Sequence, residues 1–278
     1  MYSINRRKFL GLISCGCCSI ILPSCSTVPI TERKQLSIIP ESRINQQAAA
    51  AYENFRNKSK LITTGNQLKN IREIGKRMED SVSAFFLNDG KEDPTKNFGW
   101  DYILVDNDKI VNAWCMPGGK IVFYTGIMGI ADNPDGIAAI MGHEVAHALA
   151  DHGAQRMSMG ILQQAGGMIT AEVSKNQDDR NRERIMMAYG IGTTVGGMLP
   201  FSRKHETEAD KIGLELMTIA GYKPEEAPKL WERMKAQSKG GKSEFLSTHP
   251  SEERRISIQK EWIPVSYTHL TLPTIAKV

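Results

Sequence analysis

Two histidines four residues apart, with a glutamate directly after the first, constrain this chain more than any other feature. His143-Glu144-Val145-Ala146-His147 lies within Asp135 to Asp151, where apolar residues recur with a helical period, and Asp132-Asn133-Pro134 supplies a helix start. On a helix, positions i and i+4 stand one turn apart on the same face, so both imidazoles can reach a single ion about 2.0–2.1 Å away. Glu144 then projects beside them. Two ligands do not close a metal site, so the chain must fold to bring a further donor onto that face.

One known way to supply that donor is the longer pattern HExxHxxGxxH. Here Ala150 holds the glycine place and Gly153 the place of the third histidine, which excludes it. A carboxylate from a later helix is the other way, and Arg203-Lys204-His205-Glu206-Thr207-Glu208-Ala209-Asp210 provides one. Glu206 is the expected ligand, and Asp210, one turn on, is placed to orient a ligand by hydrogen bonding. Glu208 competes for the role, but two residues along a helix turns it away from Glu206. His152 and His205 are expected to support the site rather than bind metal. One Zn²⁺ per chain, held by His143, His147 and Glu206, with Glu144 as general base, is a complete set for peptide hydrolysis. Zinc lowers the pKa of a water towards about 7 and polarises the scissile carbonyl, while Glu144 moves the proton.

With 278 residues, 41% of them hydrophobic, the chain has material for one well-buried domain. Its net charge of +4 comes from 35 basic and 31 acidic residues, a near balance that leaves no electrostatic footprint for nucleic acid. Four of the five cysteines fall in the first 25 residues, so Cys115 has no disulfide partner in the body and reads as a small buried hydrophobe.

Arg6-Arg7-Lys8 before the apolar run Phe9 to Leu22 has the form of an export signal, too short for an ordinary transmembrane helix. Leu22-Pro23-Ser24-Cys25 resembles a lipobox, which would make Cys25 the lipidated first residue. Asn5 to Leu10 also resembles a twin-arginine signal. Ser26 resembles the sorting residue of cargo sent to a bacterial outer membrane. The expected organisation is a signal peptide over 1–24, a lipidated polar tether over 25–42 and a catalytic domain over 43–264. Residues 265–278 read as a non-native tail, because Val265 to Thr274 looks like a translated sequencing adapter, and His269 therefore carries no weight. The expected location is the bacterial periplasm, with a lipid anchor in the outer membrane.

Along the body, helices are expected at 43–56, 67–86, 135–151, 204–220 and 224–237, with β-rich runs at 100–105 and 120–125. Two Met-, Gly- and Ala-rich stretches between Met157 and Pro200 are expected as core helices joined by the charged run Lys175 to Arg184, with a lid or membrane-facing flap as the other reading.

At these residues the chain resembles metallopeptidase family 48, the group of the HtpX-type, CAAX prenyl and mitochondrial Oma-type proteases and their periplasmic lipoprotein relatives. The resemblance runs through Pro29-Ile30-Thr31-Glu32-Arg33, Asn112 to Gly119, His143 to His152, Ser202 to Asp210 and His249-Pro250. It implies an α+β, gluzincin-like zincin domain, mostly helical, with a small sheet beside the active-site helix. In such a domain His143, His147 and Glu206 hold zinc and Glu144 is the base. The segment with Asn112, Ala113, Pro117, Gly118 and Gly119 resembles the edge strand on which a substrate backbone adds as an extra strand. His249, followed by Arg255, matches a histidine of the lipoprotein branch, either stabilising the oxyanion or occupying the open zinc position. The function implied is an envelope quality-control endopeptidase acting on unfolded or misfolded proteins. The alternative is a metal-bound assembly factor or chaperone that seldom cuts.

Overall fold

A computed structural model describes residues 25–28, 31–88, 90–238, 244–249 and 253–271. The expected signal peptide, 1–24, lies outside the described residues. The stretch expected as a tether is in part ordered: β1 (Cys25–Thr27) and β2 (Lys34–Leu36) form an antiparallel hairpin. The hairpin is fastened to the body because Val28 and Gln35 are buried and Arg33 pairs with Glu208.

Two long helices follow, α1 (Glu41–Lys58) and α2 (Asn66–Asn88), each starting and ending within two residues of the spans their periodicity predicts. A four-stranded sheet is built from β3 (Leu61–Ile62), β4 (Asp101–Val105), β5 (Ala113–Met116) and β6 (Lys120–Tyr124) in the order β3-β4-β6-β5. β4 and β6 run parallel, while β3 and β5 are antiparallel edges. Ile103, Val105, Val122 and Tyr124 pack with Tyr52 of α1 on one face, and Tyr102, Leu104, Ile121 and Phe123 join the main core on the other. Burial on both faces is why β4 and β6 read as continuous apolar runs rather than alternating ones. This mostly helical α+β architecture is the one expected.

After β6 the chain turns into α3 (Thr125–Ala131) and then α4 (Pro134–Leu149), which carries the two histidines. Asn133 caps α4 by accepting a hydrogen bond from the Gly136 amide, and Pro134 opens its first turn, where a missing N–H costs nothing. Every residue from Gly136 to Leu149 is buried, so α4 is the central helix of the domain rather than an amphipathic surface one. α7 (Leu199–Ile219) crosses it, beginning five residues earlier than the sequence indicates. The crossing is made at two glycines: a Cβ on Gly142 would lie 2.8 Å from the Gly213 carbonyl oxygen, and one on Gly213 would lie 2.9 Å from the His143 amide nitrogen. Contact this close sets the distance between a ligand helix and its partner. The remaining helices are α8 (Glu226–Ser238), α9 (Glu244–Thr248) and α10 (Glu253–Thr271).

Between α4 and α7 stand α5 (His152–Val173), α6 (Asp179–Thr193) and a π-helical turn at Thr194–Met198. The expectation of core helices here is corrected. Only the first turns of α5 are buried, α6 has no buried residue, and Met168, Ile169, Val173, Met187 and Ile191 are exposed. The reason is local: α5 leaves the body after Ser158, and α6 packs back on α5 through Tyr189, whose hydroxyl donates to the Gln163 carbonyl. No described helix is long and apolar enough to cross a membrane.

At the α4–α5 junction Asp151 adopts a left-handed backbone (φ 52°), and its carboxylate accepts a hydrogen bond from Gln35. Burial, with the Glu41 charge nearby, pushes its pKa up to about 6. The folded state therefore binds this proton more tightly than the unfolded chain, so the associated stability is full below about pH 4 and is lost as pH rises through 6. Asp151→Asn keeps the acceptor and tolerates the left-handed backbone. It is expected to stabilise the protein by about 1–2 kcal/mol at pH 7 and by little at pH 4. Urea denaturation at the two pH values tests this; an equal gain at both would exclude the burial cost as its source.

Candidate metal centre

Four donors converge where α4, α7 and the residue after α9 meet. His143, His147, Glu206 and His249 each offer one ligand atom, and these lie within 4.8 Å of one another in a fully buried cluster. His143 Nε2 is 3.1 Å from His147 Nε2 and 3.2 Å from His249 Nδ1. Glu206 Oε2 is 3.3 Å from His143 Nε2 and 3.0 Å from His249 Nδ1, and its Oε1 is 3.5 Å from His147 Nε2. A tetrahedron of ligands about 2.05 Å from a zinc ion has edges of roughly 3.3 Å. The spacings match that figure.

The electrostatics also call for a cation. Three imidazole nitrogens aimed at one point cannot all be satisfied by sharing protons. Among the described residues, Glu206 Oε1 and Glu144 Oε1 are buried with no hydrogen-bond donor, which is costly for carboxylate oxygens unless a positive charge sits among them. Burial opposes ionisation of Glu206, but hydrogen bonds from His143, His147 and His249 outweigh it and hold the carboxyl far below its usual range. Burial pushes His147 well below its usual value, leaving the neutral ring that ligation needs. The donor set therefore fits zinc.

Around these four, further groups hold them in place. Asp210 Oδ1 is 3.1 Å from His143 Nδ1, which turns the Nε2 lone pair toward the centre. Arg255 forms a two-pronged pair with Asp210 (2.7 Å each), reaches Glu206 at 3.2 Å, and stacks on Trp231. Asp210 and Arg255 stand at the site, and His152 supports it in the way expected, through a second relay that ends on residues not expected to take part: His152 Nδ1 lies 2.8 Å from His147 Nδ1, His152 Nε2 lies 3.0 Å from Glu208, and Glu208 pairs with Arg33. Glu208 is thus turned away from the centre but supports it from behind. Arg33 was missed as a site residue because it lies in the stretch read as a tether; its place in the Pro29–Arg33 motif was the available signal. His205 stacks on His152 and contacts Gln155.

Glu144 is buried beside the cluster, with Oε1 3.4 Å from His249 Nε2. Burial raises its pKa, opposed by the neighbouring histidines. The Cys115 backbone of β5 also acts to lower it, which places the sheet edge beside the carboxylate. β5 is an edge strand of the described sheet, and of the residues expected on a substrate edge only Ala113 lies within it. Asn112 precedes it with its side-chain oxygen accepting from the Ala113 amide, and Pro117, Gly118 and Gly119 form the turn to β6. Gly118 and Gly119 have positive φ, and a Cβ on Gly119 would strike the Trp100 ring at 2.5 Å. Cys115 is half-buried rather than core, and burial raises its thiol pKa. His249 is carried by α9, whose Phe245 amide donates to the Val111 carbonyl just ahead of β5.

A family profile, "Peptidase family M48", matches residues 72–263, a span that contains α4, α7, α9 and every donor above. The chain belongs to this family. It is a zinc metalloendopeptidase by that membership and by its donor set. The mitochondrial metalloendopeptidase OMA1 of Saccharomyces cerevisiae is 29% identical over 276 residues, covering 94% of this chain and 75% of that protein. The Schizosaccharomyces pombe protein of the same name is 38% identical over 168 residues, 59% of this chain and 47% of the relative. The beta-barrel assembly-enhancing protease of Escherichia coli is 29% identical over 171 residues, 56% and 33% respectively. This chain thus spans half or less of the length of the last two.

The plant and human relatives are also named as mitochondrial. That recurring name overturns the expectation of a bacterial periplasmic lipoprotein held at the outer membrane through Cys25. The motifs behind that expectation describe only the first 26 residues, whereas the S. cerevisiae match runs over nearly the whole chain.

Proposed function

We propose that the protein hydrolyses internal peptide bonds of unfolded or misfolded polypeptides, bound in extended form along the free edge of β5. The observation that carries this is the position of Glu144: buried, against a four-donor cluster, and beside Cys115 of the edge strand β5. His143, His147 and Glu206 hold the zinc. When bound, zinc supplies a Lewis acid that activates water and polarises the scissile carbonyl. Glu144 accepts the proton of the attacking water and passes it to the leaving nitrogen. The backbone N–H and C=O groups of Ala113 and Cys115, which face away from β6, align the substrate by strand addition, which only a locally unfolded chain can offer. Asp210 and Arg255 fix the ring of His143 and the carboxylate of Glu206.

His249 is the fourth protein donor of the cluster and would stand where a metal-bound water is needed. We assign it as a latching ligand that keeps the enzyme latent until α9 moves, rather than as an oxyanion donor. The same observation favours a second reading, in which four protein ligands make a structural zinc site and the protein binds unfolded chains without cutting. Cleavage of casein by the zinc-loaded full chain, with and without chelator, tests the proteolytic reading, and His249→Ala separates the two. If the open form is about a tenth of the population, the variant is expected to cleave roughly tenfold faster. A variant that loses zinc and never cleaves would instead support the structural reading.

A further inference from the structure

A cavity of about 660 Å³ opens beside the metal centre between α7, α10 and the β1–β2 turn that carries Arg33. It shares Glu206 with the centre but includes no residue of β5, so it is a separate surface from the edge strand. Six cationic side chains line it: Arg33, Arg203, Lys204, Lys211, Arg254 and Arg255. Only two carboxylates do, and neither is available to neutralise the rim. Glu206 is turned to the histidines, and Glu208 is engaged by Arg33, His152 and Thr31. In a chain with 35 basic and 31 acidic residues such a local excess is not a consequence of composition.

The cations differ in how far they are committed. Arg255 is buried on Asp210, and Arg33 is held by Glu208 and Gln155. Lys211 lies over the Trp262 ring at 4.0 Å, an arrangement that fixes the ammonium while leaving its charge uncompensated. Lys204 and Arg254 are exposed, and among the described residues neither has a carboxylate partner. Leu199, half exposed, adds an apolar patch to the wall, and the stems of the lysines extend it. Gathered like charges repel, and their field falls on whatever approaches the centre.

We propose that this groove binds acidic side chains of the substrate, so that the enzyme selects polypeptides carrying Asp or Glu a few residues to one side of the scissile bond. The proposal rests on the proteolytic reading for its consequence, since an extended chain aligned on β5 and passing Glu206 continues into the groove. A substrate segment is favoured over an anionic lipid surface because the cavity is recessed and adjoins a metal ligand. Lys204 and Arg254 then act as specificity determinants rather than catalytic residues.

The test uses three unstructured peptides, identical except for acidic, glutamine or lysine flanks, with the His249→Ala protein at about 0.1 M salt, where screening extends only beyond about 10 Å. The acidic peptide is expected to be cleaved with roughly tenfold higher kcat/KM than the glutamine one, mainly through KM. Lys204→Glu combined with Arg254→Glu is expected to abolish that preference and favour the lysine peptide. Fluorescence anisotropy with Glu144→Gln reads binding independently of cleavage. Equal kcat/KM for all three peptides, or a preference untouched by the double charge reversal, overturns the proposal. So does charge-dependent binding to anionic vesicles with no peptide preference, which assigns the groove to lipid. Binding of the acidic peptide over the glutamine one without cleavage of any would instead sink the proteolytic reading and leave the groove standing.

Discussion

Glu144→Gln is expected to lower kcat/KM for an unfolded substrate about a thousandfold, within the range of roughly 10²–10⁴ found for removing a general base, while one zinc per chain is retained. The substitution keeps the shape of the side chain and removes only its capacity to take a proton. Because Glu144 is buried 3.4 Å from His249 and beside the Cys115 amide, a glutamine can occupy the same space without opening a cavity. Metal content by elemental analysis and an unchanged circular dichroism spectrum establish that the site is intact. Retention of more than about a tenth of the activity would show that proton transfer runs through another group and would remove Glu144 from the assigned role.

Gly213→Ala is expected to cost about 3 kcal/mol, the upper end for inserting one methyl group into a packed interior. The atoms its Cβ would meet, Gly142 C and His143 N at 2.9 Å, are backbone and cannot rotate aside, so α4 and α7 must separate. His143 rides on one helix and Glu206 on the other, and zinc affinity is therefore expected to fall on the order of tenfold or more. The midpoint of thermal unfolding should drop by roughly 6–12 °C. Gly192→Ala serves as the control: nothing lies within 4 Å of its Cβ, and the same methyl in a helix stabilises by about 0.5–1 kcal/mol. If the two variants unfold alike and bind zinc alike, the close crossing does not set the ligand geometry.

Much of the metal centre was legible because its logic is helical. His143 and His147 share a face whatever surrounds them, since i and i+4 stack on any α-helix. Glu206 followed from exclusion of the longer histidine pattern, and Asp210 from its place one turn beyond. The long helices were visible through apolar periodicity, and β4 and β6 through runs of Val, Ile and aromatic residues. The histidine pair and the periodicity of each helix are signals within a single element, where local geometry is enough.

What the sequence could not settle depends on contacts between distant segments. His249 is 106 residues from His143, and it reaches the cluster because α9, which precedes it, hangs from Val111 ahead of β5. Arg33 reaches the site only because β1 and β2 fold back against α5 and α7, a pairing that a short polar stretch does not announce. α5 and α6 carry Met-, Gly- and Ala-rich stretches that read as core, yet past Ser158 they pack on each other, with Tyr189 on Gln163, rather than on the body. Residue spacing along a helix therefore determined that His143 and His147 share one face, while long-range packing alone decided which further donors join them, what braces them and which charges line the groove beside them.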